Sequence, residues 1–149
     1  MITLENMQAA YYEALERKNE IKARLRLAAT ELIGSYRKSL GLNKEHLAAF
    51  VTTGYSDTQG YTQAPVTTIE LDNSKALNFI LTTTIDSNPL RKFIVSVSLA
   101  MREQDGFVSV GIEGDPVPVL LLHEGTDDRY AEAVEAIKIA AMKKIDQLV

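Results

Sequence analysis

From Met1 to Ile33 the chain contains neither proline nor glycine, and its apolar residues recur every three or four positions. This combination predicts one unusually long amino-terminal helix over residues 1–38, because nothing in the stretch interrupts the backbone hydrogen-bond ladder. Leu4, Met7, Tyr11, Ala14, Ile21, Leu25, Ala28 and Leu32 fall on the a and d positions of a heptad, with Lys18 at an a position. A coiled-coil pattern of this kind belongs to a helix that packs against a partner. At the usual rise the helix would be roughly 54 Å long, against about 30 Å for the width of a small domain. Part of it is expected to overhang the rest of the fold.

The 149 residues suit a single domain over 1–149, with 46% apolar and 24% charged residues in the range of ordinary globular chains. There is no cysteine, which excludes disulfides, thiolate metal sites and cysteine nucleophiles. No apolar run approaches the length of a membrane span, and early polar residues such as Glu5 do not resemble a signal peptide. A cytoplasmic protein without membrane contact is the expectation. The net charge of −4 is unevenly distributed. Residues 1–50 carry eight Lys or Arg against six Asp or Glu, and residues 51–149 carry eight against fourteen.

Gly34 and Gly41 mark the expected end of the first helix, with Arg37 and Lys38 near its negative pole. Asn43 then caps a short helix carrying Leu47, Phe50 and Val51, and Gly54 to Tyr61 reads as a polar loop. After Pro65 the apolar period changes to two. Strands are expected over 66–71, 76–85 and 91–102, with a fourth following the Asp105-Gly106 turn. In this register Leu71 faces Leu77, Leu81 faces Val95, Met101 faces Val110 and Leu99 faces Ile112, which keeps apolar opposite apolar. Residues 117–122 offer a fifth strand, confined to an edge by Pro116 and Pro118. Thr126 caps a terminal helix with Asp127 and Asp128 in its first turn and a stripe of Tyr130, Val134, Ile137, Ala141, Ile145 and Leu148. The expected class is therefore α+β: long helix, short helix, an antiparallel meander of four or five strands, and a terminal helix packed on one sheet face.

Residues able to do chemistry are few. His46 and His123 are the only histidines, and neither lies in a catalytic or metal-binding spacing. His123 has Glu113, Asp115, Asp127 and Asp128 nearby in sequence, but turn and capping roles account for all four acids. No phosphate loop is present, since Gly111-Ile112-Glu113-Gly114 lacks the following Lys-Ser or Lys-Thr. We assign no catalytic residue, no metal ligand and no cofactor.

The expected function is a non-enzymatic, adaptor- or chaperone-like protein-interaction module that forms homodimers through its first helix. Tyr11, Lys18, Ile21 and Leu25 on that helix would contact a partner, as would Ile80 and Ile94 on the outer face of the sheet. The alternative is a nucleic-acid-binding dimer using Arg17, Lys18, Lys22, Arg24 and Arg26. The interleaved Glu13, Glu16 and Glu20 weigh against it, because they suit a solvated helix face better than a phosphate-binding one. An enzyme or metal protein built around His123 and its acids ranks third.

Overall fold

A computed structural model of the chain describes residues 1–42 and 49–148. The first helix, α1, runs unbroken from Leu4 to Ser39. Thr3 starts it with a reciprocal cap: its hydroxyl accepts from the Asn6 N–H while the Asn6 side chain accepts from the Thr3 N–H. Gly41, at φ 78°, ends it. The Gly41 and Leu42 N–H groups donate back to the Lys38 and Arg37 carbonyls at 3.0 and 2.9 Å, a pairing that requires a left-handed residue and so favours glycine. Gly34 does not end the helix. It sits inside it, and a helical interior tolerates one glycine at a cost of about 1 kcal/mol. Residues 43–48, which hold Asn43, His46 and Leu47 of the expected short helix, lie outside the described residues. Val51, assigned to that helix, instead opens the first strand.

Among the described residues, six antiparallel strands, not four or five, form one sheet. They are β1 (Val51–Asp57), β2 (Gly60–Gln63), β3 (Leu77–Asp86), β4 (Phe93–Gln104), β5 (Phe107–Ile112) and β6 (Val119–Leu120), in the spatial order β2-β1-β3-β4-β5-β6. The expected polar loop from Gly54 to Tyr61 is the β1–β2 hairpin, with Asp57 opposite Gly60 across a two-residue turn. Its polarity concealed it: β2 is exposed along its whole length, so no apolar alternation marks it.

Val66–Leu71, expected as a strand, lies outside the sheet. Val66–Thr68 forms a 3-10 turn after Pro65, and β1 takes the place beside β3. The Thr68 hydroxyl donates to the Pro65 carbonyl and closes the turn locally. Val66, Ile69 and Leu71 are buried all the same, as a plug over the margin of the core.

Further along, the β4–β5 hairpin keeps the expected register, with Met101 opposite Val110 and Leu99 opposite Ile112. Asp105 and Gly106 both have positive φ, 52° and 83°, as the tight hairpin turn demands. Leu81 pairs with Val97 and not with Val95, a slip of two that leaves every side chain on its expected face. The edge strand after Pro118 is present but only two residues long.

The terminal helix α2 spans Ala131–Asp146, starting later than Thr126 predicts. Gly125 and Asp128 have positive φ, so the Thr126–Asp128 segment is a turn and not a first helical turn. The carboxy-terminal half of α1 and α2 cover one sheet face. Leu25, Ala28, Leu32, Phe79, Leu81, Val97, Leu99, Met101, Val110 and Ile137 form the centre of the resulting core. A buried hydrogen bond of 2.8 Å between the Tyr36 and Thr83 hydroxyls fixes the far end of α1 on β3.

Asp72 organises the connection into β3. Its Oδ1 accepts from the Ser74 and Ala76 N–H groups and its Oδ2 from the Asn78 amide. These donors, led by Ala76, hold its carboxyl down at about 2, below the ordinary 3.8. Because the folded value is depressed, the carboxylate's contribution is complete above the ordinary range and disappears as pH falls from about 3.8 towards 2. A carboxyl 13C titration of Asp72 is expected to show a midpoint near 2. A midpoint at the free-carboxylate value would mean that these donors do not hold it.

Candidate interaction site on the projecting helix

Residues 1–20 are all exposed, whereas Leu25, Ala28, Ala29, Leu32, Ile33 and Tyr36 of the same helix are buried. From Leu4 to Glu20 the helix extends roughly 25 Å without support from its own sheet. The boundary is abrupt. Tyr11 is 61% exposed and Leu25, two heptads further on, is 0% exposed. A straight helix drifts by about 20° per heptad, so the unsupported stripe of Leu4, Met7, Tyr11, Ala14 and Lys18 continues the face buried against the sheet with an offset that reaches about 60° at Leu4. Beside it Tyr12 meets the Tyr11 ring edge-on, with centroids 5.4 Å apart, and Leu15 adds a further exposed apolar side chain.

The four helix residues expected to bind a partner thus fall into two groups. Tyr11 and Lys18 are on the unsupported segment, Ile21 is half-buried at its root, and Leu25 is part of the subunit's own core. The expected sheet pair also separates. Ile80 lies opposite Ser98 and Ile94 opposite Thr84, so the two are four residues apart along the sheet, about 13 Å, and not diagonal neighbours. Ile80 is half-buried beside a shallow 400 Å³ hollow floored by Ser98, Ala100 and Gly111, while Ile94 stands exposed near the hairpin end.

Three of the five cations in the basic segment have acidic partners. The Lys22 ammonium lies 2.8 Å from Glu70, and Arg26 bridges Glu70 at 3.2 Å and the Ile69 carbonyl at 2.9 Å. Arg24 makes a two-pronged pair with Glu103 at the end of β4. The Lys22 hydrogen bond, with Arg26 behind it, holds the Glu70 carboxyl below its usual range. Among the described residues, only Arg17 and Lys18 of the five lack an acidic partner. Local sequence carries no signal of these pairings, because Glu70 and Glu103 lie 48 and 79 residues from the cations they meet.

His123 stacks on Phe107, with ring centroids 4.9 Å apart, at a 460 Å³ cavity that Arg24, Glu103, Glu124 and Arg129 also line. The acids expected near it are dispersed. Glu113 pairs with Lys144 at 2.5 Å, Asp115 accepts from the Val117 N–H, and Asp127 and Asp128 border a different hollow between α1 and α2. Among the described residues no three His, Cys, Asp or Glu side chains gather at metal-binding distance. Beside that hollow the Tyr130 hydroxyl donates to Glu31 at 2.6 Å and ties α2 to α1. Burial and the Glu31 carboxylate push its phenol up to about 12.

Among the described residues no helix is long and apolar enough to cross a membrane. Comparison with protein-family models, with curated proteins and with solved structures gave no match.

Proposed function

We propose that the protein is a non-enzymatic cytoplasmic interaction module, adaptor- or chaperone-like, that self-associates through the unsupported half of α1. The observation that carries this reading is the apolar stripe, which leaves the domain at Ile21 and continues through Ala14, Tyr11, Met7 and Leu4, broken only by Lys18, with each of these side chains from Leu4 to Lys18 exposed. Covering the stripe would remove the exposed Leu4, Met7 and Tyr11 side chains from water.

The carboxylates paired with Lys22, Arg24 and Arg26 reduce the charge available to phosphates, which favours this reading over a nucleic-acid-binding dimer. The outer sheet face offers less, since Ile80 and Ile94 do not share a patch.

Light scattering over a concentration series is expected to give a molar mass of twice the 16.5 kDa chain, and Tyr11→Glu to return it to one chain with unchanged circular dichroism. A wild type that remains monomeric up to about 1 mM would overturn the reading, since association that weak supplies under about 4 kcal/mol. Binding to DNA that weakens steeply with salt, and is lost when Arg17, Lys18, Lys22, Arg24 and Arg26 are neutralised, would replace it with the nucleic-acid alternative.

A further inference from the structure

We infer that the occupant of the stripe is the projecting helix of a second copy, running antiparallel, with Leu4 level with the partner's Ile21, Met7 with the partner's Lys18 and Tyr11 with the partner's Ala14. This deepens the self-association reading and rests on it; the orientation and register are what it adds.

The position of the sheet supplies the first reason. From Leu25 onwards the stripe is buried in its own subunit, so a partner helix following the seam can use only the segment from Leu4 to Ile21. A parallel partner would bring its own sheet to the same side and the same level, where the first sheet already sits. An antiparallel partner presents a segment of the same length and carries its sheet to the opposite end. The two-fold axis then falls between Tyr12 and Glu13, at the middle of the unsupported segment.

Side-chain volume supplies the second. Antiparallel helices pair a with d, which gives the layers Leu4/Ile21, Met7/Lys18 and Tyr11/Ala14, each occurring twice. The largest seam residue meets the smallest. The Lys18 methylene stem lies along a flexible methionine, with its ammonium free to reach water. Parallel pairing in register would stack Tyr11 on Tyr11 and Lys18 on Lys18, leaving two Ala14 residues beside a void.

The antiparallel register brings Met1 level with the partner's Arg24, so that the first residues arrive at the cavity lined by Arg24, Phe107 and His123 at the root of the helix.

The chain has no cysteine, so engineered thiols report pairing without background. Three full-length variants are needed: Met7→Cys, Lys18→Cys and the double variant Met7→Cys/Lys18→Cys. Both substitutions fall on exposed positions, and circular dichroism checks that each variant folds. In the antiparallel register position 7 is level with position 18 of the second copy but roughly 16 Å along the axis from its own equivalent, too far for a disulfide. After mild oxidation the double variant is expected to give about tenfold more linked dimer on non-reducing gels than either single variant. Single variants that link as well as the double one would establish a parallel pair, overturning the orientation while sparing self-association. A double variant that does not link, in a chain whose wild type is dimeric, overturns the register. A wild type without dimers ends the self-association reading itself.

Discussion

Replacing Leu25 with alanine is expected to destabilise the subunit by about 3 kcal/mol, because a fully buried leucine leaves behind both lost transfer energy and a cavity. Leu25 is 0% exposed and packs with the core cluster beneath the root of the projecting helix. Such a loss is a large share of the 5–15 kcal/mol that ordinary domains possess. Tyr11→Ala, two heptads away on the same stripe, removes a larger side chain from a position 61% exposed. At dilutions where the protein is monomeric it is expected to change stability by less than about 0.5 kcal/mol. Urea unfolding of both variants at low concentration measures the contrast. Equal costs at the two positions would mean that the amino-terminal half of α1 folds back onto its own domain.

Gly54→Val is expected to cost about 2 kcal/mol and to detach β2. A Cβ at Gly54 would stand 2.4 Å from the Thr62 carbonyl oxygen and 2.5 Å from the Tyr61 hydroxyl, far inside contact distance. The Tyr61 ring can swing away, but the Thr62 carbonyl belongs to the backbone of the neighbouring strand, held where Tyr55 pairs with Thr62. Glycine is needed here for space, so that Tyr61 can lie across the strand. Denaturation gives the total cost, and amide exchange locates it: faster exchange confined to residues 60–63 is the expected signature, with β3 to β5 unchanged. Normal protection of residues 60–63 in the variant would show that the approach of the two strands relaxes without unpairing.

Much of the architecture is written locally. The freedom of residues 1–33 from helix breakers, with Thr3 and Asn6 closing the first turn, is enough to specify a helix longer than a domain. Alternation along β3, β4 and β5, joined by Asp105-Gly106, specifies three strands and their buried faces, because side-chain direction in a strand is set by parity. Parity also explains why a register slip of two at Leu81 did no harm to the assignment of the core.

Tertiary structure decided the rest. That 51–57 and not 66–71 lies beside β3 is a pairing between segments distant in sequence, which the apolar spacing of Val66, Ile69 and Leu71 does not contain, since those three side chains are buried without joining the sheet. The pairing of Lys22 and Arg26 with Glu70, and of Arg24 with Glu103, arises only once the helix lies on the sheet, and it turns a basic segment into a largely neutralised one. The division of a single heptad stripe into a supported half and a bare one has the same origin. Sequence records that the stripe is apolar, but only the reach of the sheet determines where its cover stops.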